Sequence, residues 1–485
     1  MPKKQYIFEL KNADVIIKDK YILKNINISI KKNEITGVYG ANGSGKTLLS
    51  DVIGGKRKLD NGERVFIPGA KVSVVSSIEQ QRMLERDRYN DDSEFIGKED
   101  PGRSVRTILG LAKNEKFDSK VEQLIKTLQI EHILDRGIKY LSTGEFRKMM
   151  IADAVIKNAD IIILDDPYTG LDRESRKKLI LLINELKELY SIIVVSGRLE
   201  DMQNCERYFL LEGGQLSEYQ TNDDLKKKVE AVNANSVKLK EPENFLEKKE
   251  ILKEELIRLD KVSMSYYGEK ILTDISWSVV SAEHWQIIGP NGSGKSSLIS
   301  LINGDSPKAY GQNLYLFGNK RGSGETVWDI KQKIGLVSGS LQRMHRSGQN
   351  VLSIVLSGYF DTIGLYDKPT PIQINYAKTL CEDFGLEDII QTDFDKLSEG
   401  LKRTVLIIRA LIKTPKLLIL DEPCQGLDDH NSSFIVKTAS NIIKSTTTTL
   451  IYVSHDPYYQ MDGINKTLNL VPHKDGGYTG EIKLN

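Results

Sequence analysis

GANGSGKT at positions 40–47 and GPNGSGKS at positions 289–296 decide the fold, because each joins an apolar, strand-like run to the opening of a helix-like one. EITGVYG leads into the first and TLLSDVIG leaves it; HWQIIG and SSLISLING flank the second. In this pattern, GxxxxGK[ST], glycines let backbone N–H groups curl round a phosphate, and the helix that follows turns the positive end of its dipole toward the same anion. The spacing predicts one cradle from Gly40, Asn42, Gly43 and Gly45 and another from Gly289, Asn291, Gly292 and Gly294. Lys46 and Lys295 would reach the β- and γ-phosphates of ATP, with Ser297 beside the second lysine. Thr47 and Ser296 would each place a hydroxyl on Mg²⁺.

The pattern is part of a longer repeat. The two loops lie 249 positions apart (289 − 40), LSTGE at Leu141 is answered by LSEGL at Leu397 (256 on), and IIILDDPYTGLD from Ile161 by LLILDEPCQGLD from Leu417 (256 on). Ser196 in VVSGR is answered by Ser454 in YVSHD. A duplicated domain explains all four pairs. The expected organisation is a first domain over 1–220, a charged linker over 221–252 rich in Lys and Glu, and a second domain over 253–485. Buried-strand runs such as IIIL and LLIL alternate with helical patterns, so the fold class is α/β, with two tandem P-loop NTPase domains.

The whole chain narrows the setting. Its 485 residues are enough for two cores of ordinary size. With 68 Lys and Arg against 67 Asp and Glu, it lacks the global positive charge of most nucleic-acid binders. Cys205, Cys381 and Cys424 are far apart and odd in number, which suits a reducing, cytoplasmic location. No apolar run approaches the roughly 20 residues that cross a bilayer, and the N-terminus has no secretory apolar stretch. A transport role would therefore need a membrane permease from another chain.

Asp165 and Asp421 end apolar runs, the place for a carboxylate that holds Mg²⁺ through water. Asp166 and Glu422 follow them, positioned to orient or deprotonate an attacking water. The aspartate is shorter by one methylene, so catalysis is expected chiefly from Glu422 and only weakly from Asp166.

LSTGE, LSEGL, the two GLD segments and the Ser454–His455 pair, together with the phosphate loops, resemble ABC-type ATPase domains. The resemblance implies a helical subdomain in each α/β domain and a head-to-tail sandwich, an intramolecular cassette dimer. Site one would pair Lys46, Thr47, Asp165 and Asp166 with Ser398 and Gly400 of the other half. Site two would pair Lys295, Ser296, Asp421, Glu422 and the switch histidine His455 with Ser142 and Gly144. Tyr266 is expected to stack on adenine at site two, with Tyr267 as competitor; the matching position in the first half is Ile17. Site one departs from the family pattern at Asp166, at Gly197 in place of histidine, at Ile17, and at Glu399 in the opposing signature. The glutamine after the third motif strand is open: Gln80 or Gln81 in the first half, Gln342 in the second.

LFGNKRGSGETVWDIKQKIGLVSGSL (316–341) and SGYFDTIGLY (357–366), outside the generic motifs, resemble the molybdenum transport and photorepair ATP-binding subfamily, ModF/PhrA. That resemblance implies a cytoplasmic ATPase, at most peripheral on the inner face of the plasma membrane, working with a permease or regulating one. Other readings are an ABC-F-like ATPase on ribosomes or nucleic acid, weighed against by the short connector and balanced charge, and a slow nucleotide sensor.

Overall fold

A computed structural model describes residues 6–89, 100–111, 118–235, 253–266, 268–345, 348–454 and 461–484. Its contacts group the chain into two compact units, Met1–Asn235 and Ser236–Asn485.

The first unit begins with alternation. In Lys20–Lys31 the residues Ile26, Ile28 and Ile30 are buried while Asn25 and Asn27 face out, so the strand covers a core with one side only. It pairs antiparallel with Tyr6–Ile17, and Asn61–Phe66 adds a third strand. Lys18 and Asp19 both take positive φ (49° and 60°), the two-residue turn whose twist suits a hairpin. A second sheet runs in the order Val72–Ser76, Ile161–Asp165, Ser191–Ser196, Ile35–Tyr39, Arg207–Glu212 and Gln215–Tyr219, parallel except for the last strand.

That parallel sheet divides two apolar cores. Ile161, Ile163, Ile193 and Val195 point toward the antiparallel sheet and the helix Lys46–Ile53. Ile162, Leu164, Ile192 and Val194 point to the other side, where the helices Ser119–Leu128 and Thr143–Ile156 bring Leu128, Phe146 and Ile151. Burial on both faces explains why these strands read as unbroken apolar runs.

The second unit repeats the plan. Leu417, Ile419, Ile451 and Val453 face one core and Leu418, Leu420, Leu450 and Tyr452 the other, which is closed by helices including Val351–Ser357, Pro371–Asp383 and Glu399–Leu411. Here the sheets merge into a single ten-stranded one. The final strand, Tyr478–Leu484, pairs along Lys466–Pro472 and through Tyr478 reaches Leu272 in Glu269–Val280, the second strand of a hairpin that opens with Glu255–Tyr266. In the first unit the corresponding seam carries the bond from Lys24 N–H to the Gly214 carbonyl (2.7 Å), and the sheets stay distinct.

The expected linker over 221–252 opens with a helix, Asn222–Asn235, that inserts Leu225 and Val229 into the first core; 236–252 lie outside the described residues. No helix among the described residues is long and apolar enough to cross a membrane.

Leu225 is fully buried, so Leu225→Ala should destabilise the first unit by about 2–4 kcal/mol through lost burial and a residual cavity. All three tryptophans (277, 285 and 328) belong to the second unit. Fluorescence-monitored unfolding should therefore stay nearly unchanged while hydrogen exchange accelerates within 143–235; unaltered exchange there would show that the helix is not part of that core.

Candidate functional site

Both phosphate loops leave a parallel strand at its carboxyl end and enter a helix at once. Gly43 and Gly45 take φ of 84° and 101°, and Gly292 and Gly294 of 79° and 89°, values an L side chain rarely adopts. Nothing lies within 4 Å of where a Cβ on Gly43 or Gly292 would stand, which leaves that side of each cradle open. The helices Lys46–Ile53 and Lys295–Ile302 start without a side-chain cap, so their first N–H groups are left for an anion. Lys46 Nζ donates to the carbonyls of Gly40 (2.9 Å) and Ala41 (3.1 Å); Lys295 Nζ does the same to Gly289 (2.8 Å) and Pro290 (3.0 Å). Each ammonium is thereby folded back over its own loop. Asn42 and Asn291 stand within these loops, and Ser296 and Ser297 follow Lys295 in the first turn.

Strand register carries the next residues to the same edge. Ser76 pairs with Asp165, Asp165 with Val195 and Tyr39 with Ser196; in the second unit Ser338 pairs with Asp421 and Asp421 with Val453. Burial, and then the neighbouring Asp166 or Glu422 carboxylate, pushes Asp165 and Asp421 each up to about 6. Asp165 bonds the Thr47 hydroxyl, while its Oδ1 is buried without a partner among the described residues. A buried, underused carboxylate oxygen beside a hydroxyl is a donor set that fits Mg²⁺. In the second unit Asp421 lies within the attraction of Lys295.

Asp166 and Glu422 share one backbone geometry. Each has φ of 48°, unusual without glycine, and each N–H bonds the adjacent strand, to Val195 O (2.8 Å) and Val453 O (2.9 Å).

The signature serines cap helices. Ser142 accepts from Glu145 N–H (3.3 Å) and Glu145 accepts from Ser142 N–H (2.8 Å), a reciprocal capping box. Ser398 accepts from Leu401 N–H (3.3 Å) without the return bond, since leucine has no acceptor there. A Cβ on Gly144 would find Leu171 at an ordinary 3.5 Å, whereas on Gly400 it would strike Asn431 Oδ1 at 1.9 Å. Glu399 does not stand free: it accepts from Gln342 Nε2 (2.6 Å) and pairs with Lys402 (2.8 Å). Counting from paired Ser76 and Ser338, Gln80 and Gln342 occupy the same fourth position, which selects Gln80 over Gln81 as the counterpart.

Ile17 and Tyr266 end equivalent strands and are both about two-fifths exposed; Lys308 Nζ stands 4.9 Å from the centre of the Tyr266 ring. His455 and Tyr267 lie outside the described residues. In the first unit the segment after Ser196 holds a network absent from the motif reading. Ser196 Oγ donates to buried Asp201, and Arg176 pairs with Asp201 (2.6 Å) and Glu200 (2.9 Å). The position corresponding to Arg176, four after the GLD aspartate, is Ser432 in the second unit. Two further residues escaped that reading: Arg147 and Arg403, each five positions after a signature serine and buried. A charge on the apolar face of a helix pattern was the available signal.

The ABC transporter family matches this chain twice, over residues 23–169 and 272–425. The ABC transporter ATP-binding protein ModF of Escherichia coli is 35% identical over 95% of this chain and 96% of its own length. An uncharacterised ABC transporter ATP-binding protein of Schizosaccharomyces pombe is 28% identical over 94% and 95%. Among solved structures, an archaeal ribosome recycling factor, aABCE1, in complex with the stalk protein aP1 has a TM-score of 0.65 at 18% identity, covering 97% of this chain and 89% of that one. An RNase-L inhibitor has 0.60 at 18%, covering 98% and 90%. Those two likenesses concern the fold.

The raised Asp165 carboxyl gives a signed expectation. Its folded value, about 6, lies above its ordinary 3.8, so its contribution to stability is full below about pH 4 and lost as pH rises through 6. In metal-free buffer Asp165→Asn should therefore stabilise the protein relative to the unmodified chain more at pH 7 than at pH 5, by about 1 kcal/mol. Denaturant unfolding with chelator at both pH values measures this; a margin that widens toward pH 5 would contradict the burial argument.

Proposed function

The chain belongs to the ABC transporter family, and from that premise we propose that it is a tandem ATP-binding cassette ATPase that binds two ATP between its units and hydrolyses mainly one. Site one would combine Lys46, Thr47, Asp165 and Asp166 with Ser398 and Gly400. Site two would combine Lys295, Ser296, Asp421, Glu422 and His455 with Ser142 and Gly144. The signature serines, while accepting from their own helices, keep a hydroxyl proton to donate to the opposite γ-phosphate.

One observation carries the asymmetry: Asp166 and Glu422 have the same φ and the same strand bond, so the backbone launches both side chains alike and the glutamate reaches one methylene further. At site two Glu422 would hold the attacking water and accept its proton as oxygen bonds to the γ-phosphorus and the bond to the β-bridging oxygen breaks, releasing ADP and phosphate. Lys295 would leave the carbonyls of Gly289 and Pro290 for the phosphate oxygens. Mg²⁺, when bound through Ser296 and Asp421, supplies charge neutralisation to the phosphates. At site one the shorter Asp166 and the network of Ser196, Asp201 and Arg176 in the switch segment favour retention of nucleotide over turnover.

The relative's name, ABC transporter ATP-binding protein, supports a role in transport or its control; in this reading a permease from another chain would supply the membrane path, with the cassettes at the cytoplasmic face. Crosslinking in cells should trap a membrane protein against the regions between phosphate loop and signature, 81–139 and 342–396; crosslinks mainly to ribosomal RNA would replace the permease with a ribosome-linked role.

Glu422→Gln should lower steady-state ATP hydrolysis by on the order of a hundredfold while leaving bound nucleotide in place, the scale expected for a lost general base. Asp166→Asn should cost much less. Turnover and bound nucleotide measured in both variants decide the matter: equal losses mean that the sites fire as a coupled pair, and a larger loss from Asp166→Asn moves the working site to the first half.

A further inference from the structure

Arg147 is 1% exposed, among the most deeply buried large side chains of the protein. It projects from Thr143–Ile156, the helix capped by signature Ser142. Its Nη2 lies 3.3 Å from Ser77 Oγ and 3.5 Å from the carbonyl oxygen of Asp166. Burial lowers its pKa, against the attraction of Asp166 and then Asp165. Nε and Nη1 are buried without a hydrogen-bond partner among the described residues. Burying a guanidinium with two donors unspent is costly, and stable packing alone would favour an apolar side chain of similar volume.

The repeat places Arg403 at the same point, five residues after Ser398 and 19 before Glu422 (422 − 403), as Arg147 stands 19 before Asp166 (166 − 147). Arg403 is 5% exposed. Each arginine thus starts from the helix that carries a signature serine, and Arg147 ends at the backbone carbonyl of Asp166, the residue held at φ 48°, with Arg403 at the equivalent place before Glu422, also held at φ 48°.

We propose that Arg403 and Arg147 are positioning residues that aim the water-orienting side chain, Glu422 or Asp166, by fixing the strained backbone after the metal-binding aspartate. This rests on the reading of the sites given above. Because the arginine sits on the signature helix, docking of the serine on one nucleotide is transmitted to the carboxylate facing the other. No metal ligand or substrate contact is required of the guanidinium.

The test uses the full chain with MgATP. Arg403→Met should lower kcat by about tenfold to a hundredfold, the scale of a misplaced catalytic group, with KM and bound nucleotide unchanged. Arg403→Lys should restore part of the rate, because the charge returns without the planar fork. If Arg403→Met does not fold, Arg403→Gln, which removes the charge but keeps a polar side chain, carries the same comparison with the same expected loss in kcat. In single-turnover reactions Arg403→Met should cost nothing further once Glu422→Gln is present, since the side chain to be aimed is gone. An equal loss in the Glu422→Gln background, or a rise in KM matched by lower thermal stability in the Met and Lys variants alike, overturns the proposal. Undiminished turnover in Glu422→Gln alone overturns the underlying reading of the sites; a large Glu422 effect with no Arg403 effect overturns the arginine's role only.

Discussion

A carboxylate buried at the end of an apolar parallel strand is unfavourable until a cation neutralises it, and both units are organised around one. Asp165 and Asp421 are held largely out of water, each next to a second carboxylate that makes ionisation harder. The strands that carry them are apolar on both faces because cores lie on both sides. The sheet therefore cannot relax to hydrate the carboxyl, and relief has to come from the loop edge. There each unit gathers a lysine, a hydroxyl and open helix N–H groups, the inventory that suits a metal–polyphosphate.

The two edges are alike in backbone and unlike in side chains. Equal φ at Asp166 and Glu422, equal bonding of Lys46 and Lys295, and helix-capping serines at 142 and 398 preserve the scaffold. Difference enters where side chains alone decide. The first unit ties its switch segment to a helix through Arg176 and Asp201, and the second ties Glu399 to Gln342 and Lys402. The latter bond softens one element of the asymmetry expected from the motifs, since the glutamate beside Ser398 is already engaged within its own unit. It also joins the segment after strand Ile334–Ser338 to the signature, two parts that the motif order separates by more than fifty residues.

Much of the architecture could be read along the chain. Apolar runs at 161–164 and 417–420 are buried parallel strands, the alternation at 22–30 is a one-sided strand, and glycine spacing marks both phosphate loops. Such features are local, set by periodicity and by the few residues that tolerate positive φ. The helix Asn222–Asn235 was harder to place, because Leu225 and Val229 are its few apolar anchors amid charge and only the core they enter identifies their side. Register resolved Gln80 over Gln81 for a similar reason: strand pairing, not sequence order, aligns the two halves there.

By itself the sequence determined the duplication, the α/β class, the glycine-rich strand-to-helix loop in each half, and the single-methylene difference between Asp166 and Glu422. All follow from chemistry carried within a short window of chain. Tertiary structure alone decided that Asp165 keeps an unsatisfied oxygen, that Glu399 is drawn to Gln342, and that Arg147 lies against the Asp166 carbonyl. Those outcomes depend on desolvation and on contacts between elements distant in sequence, quantities that exist only once the strands have paired and the helices have closed over them.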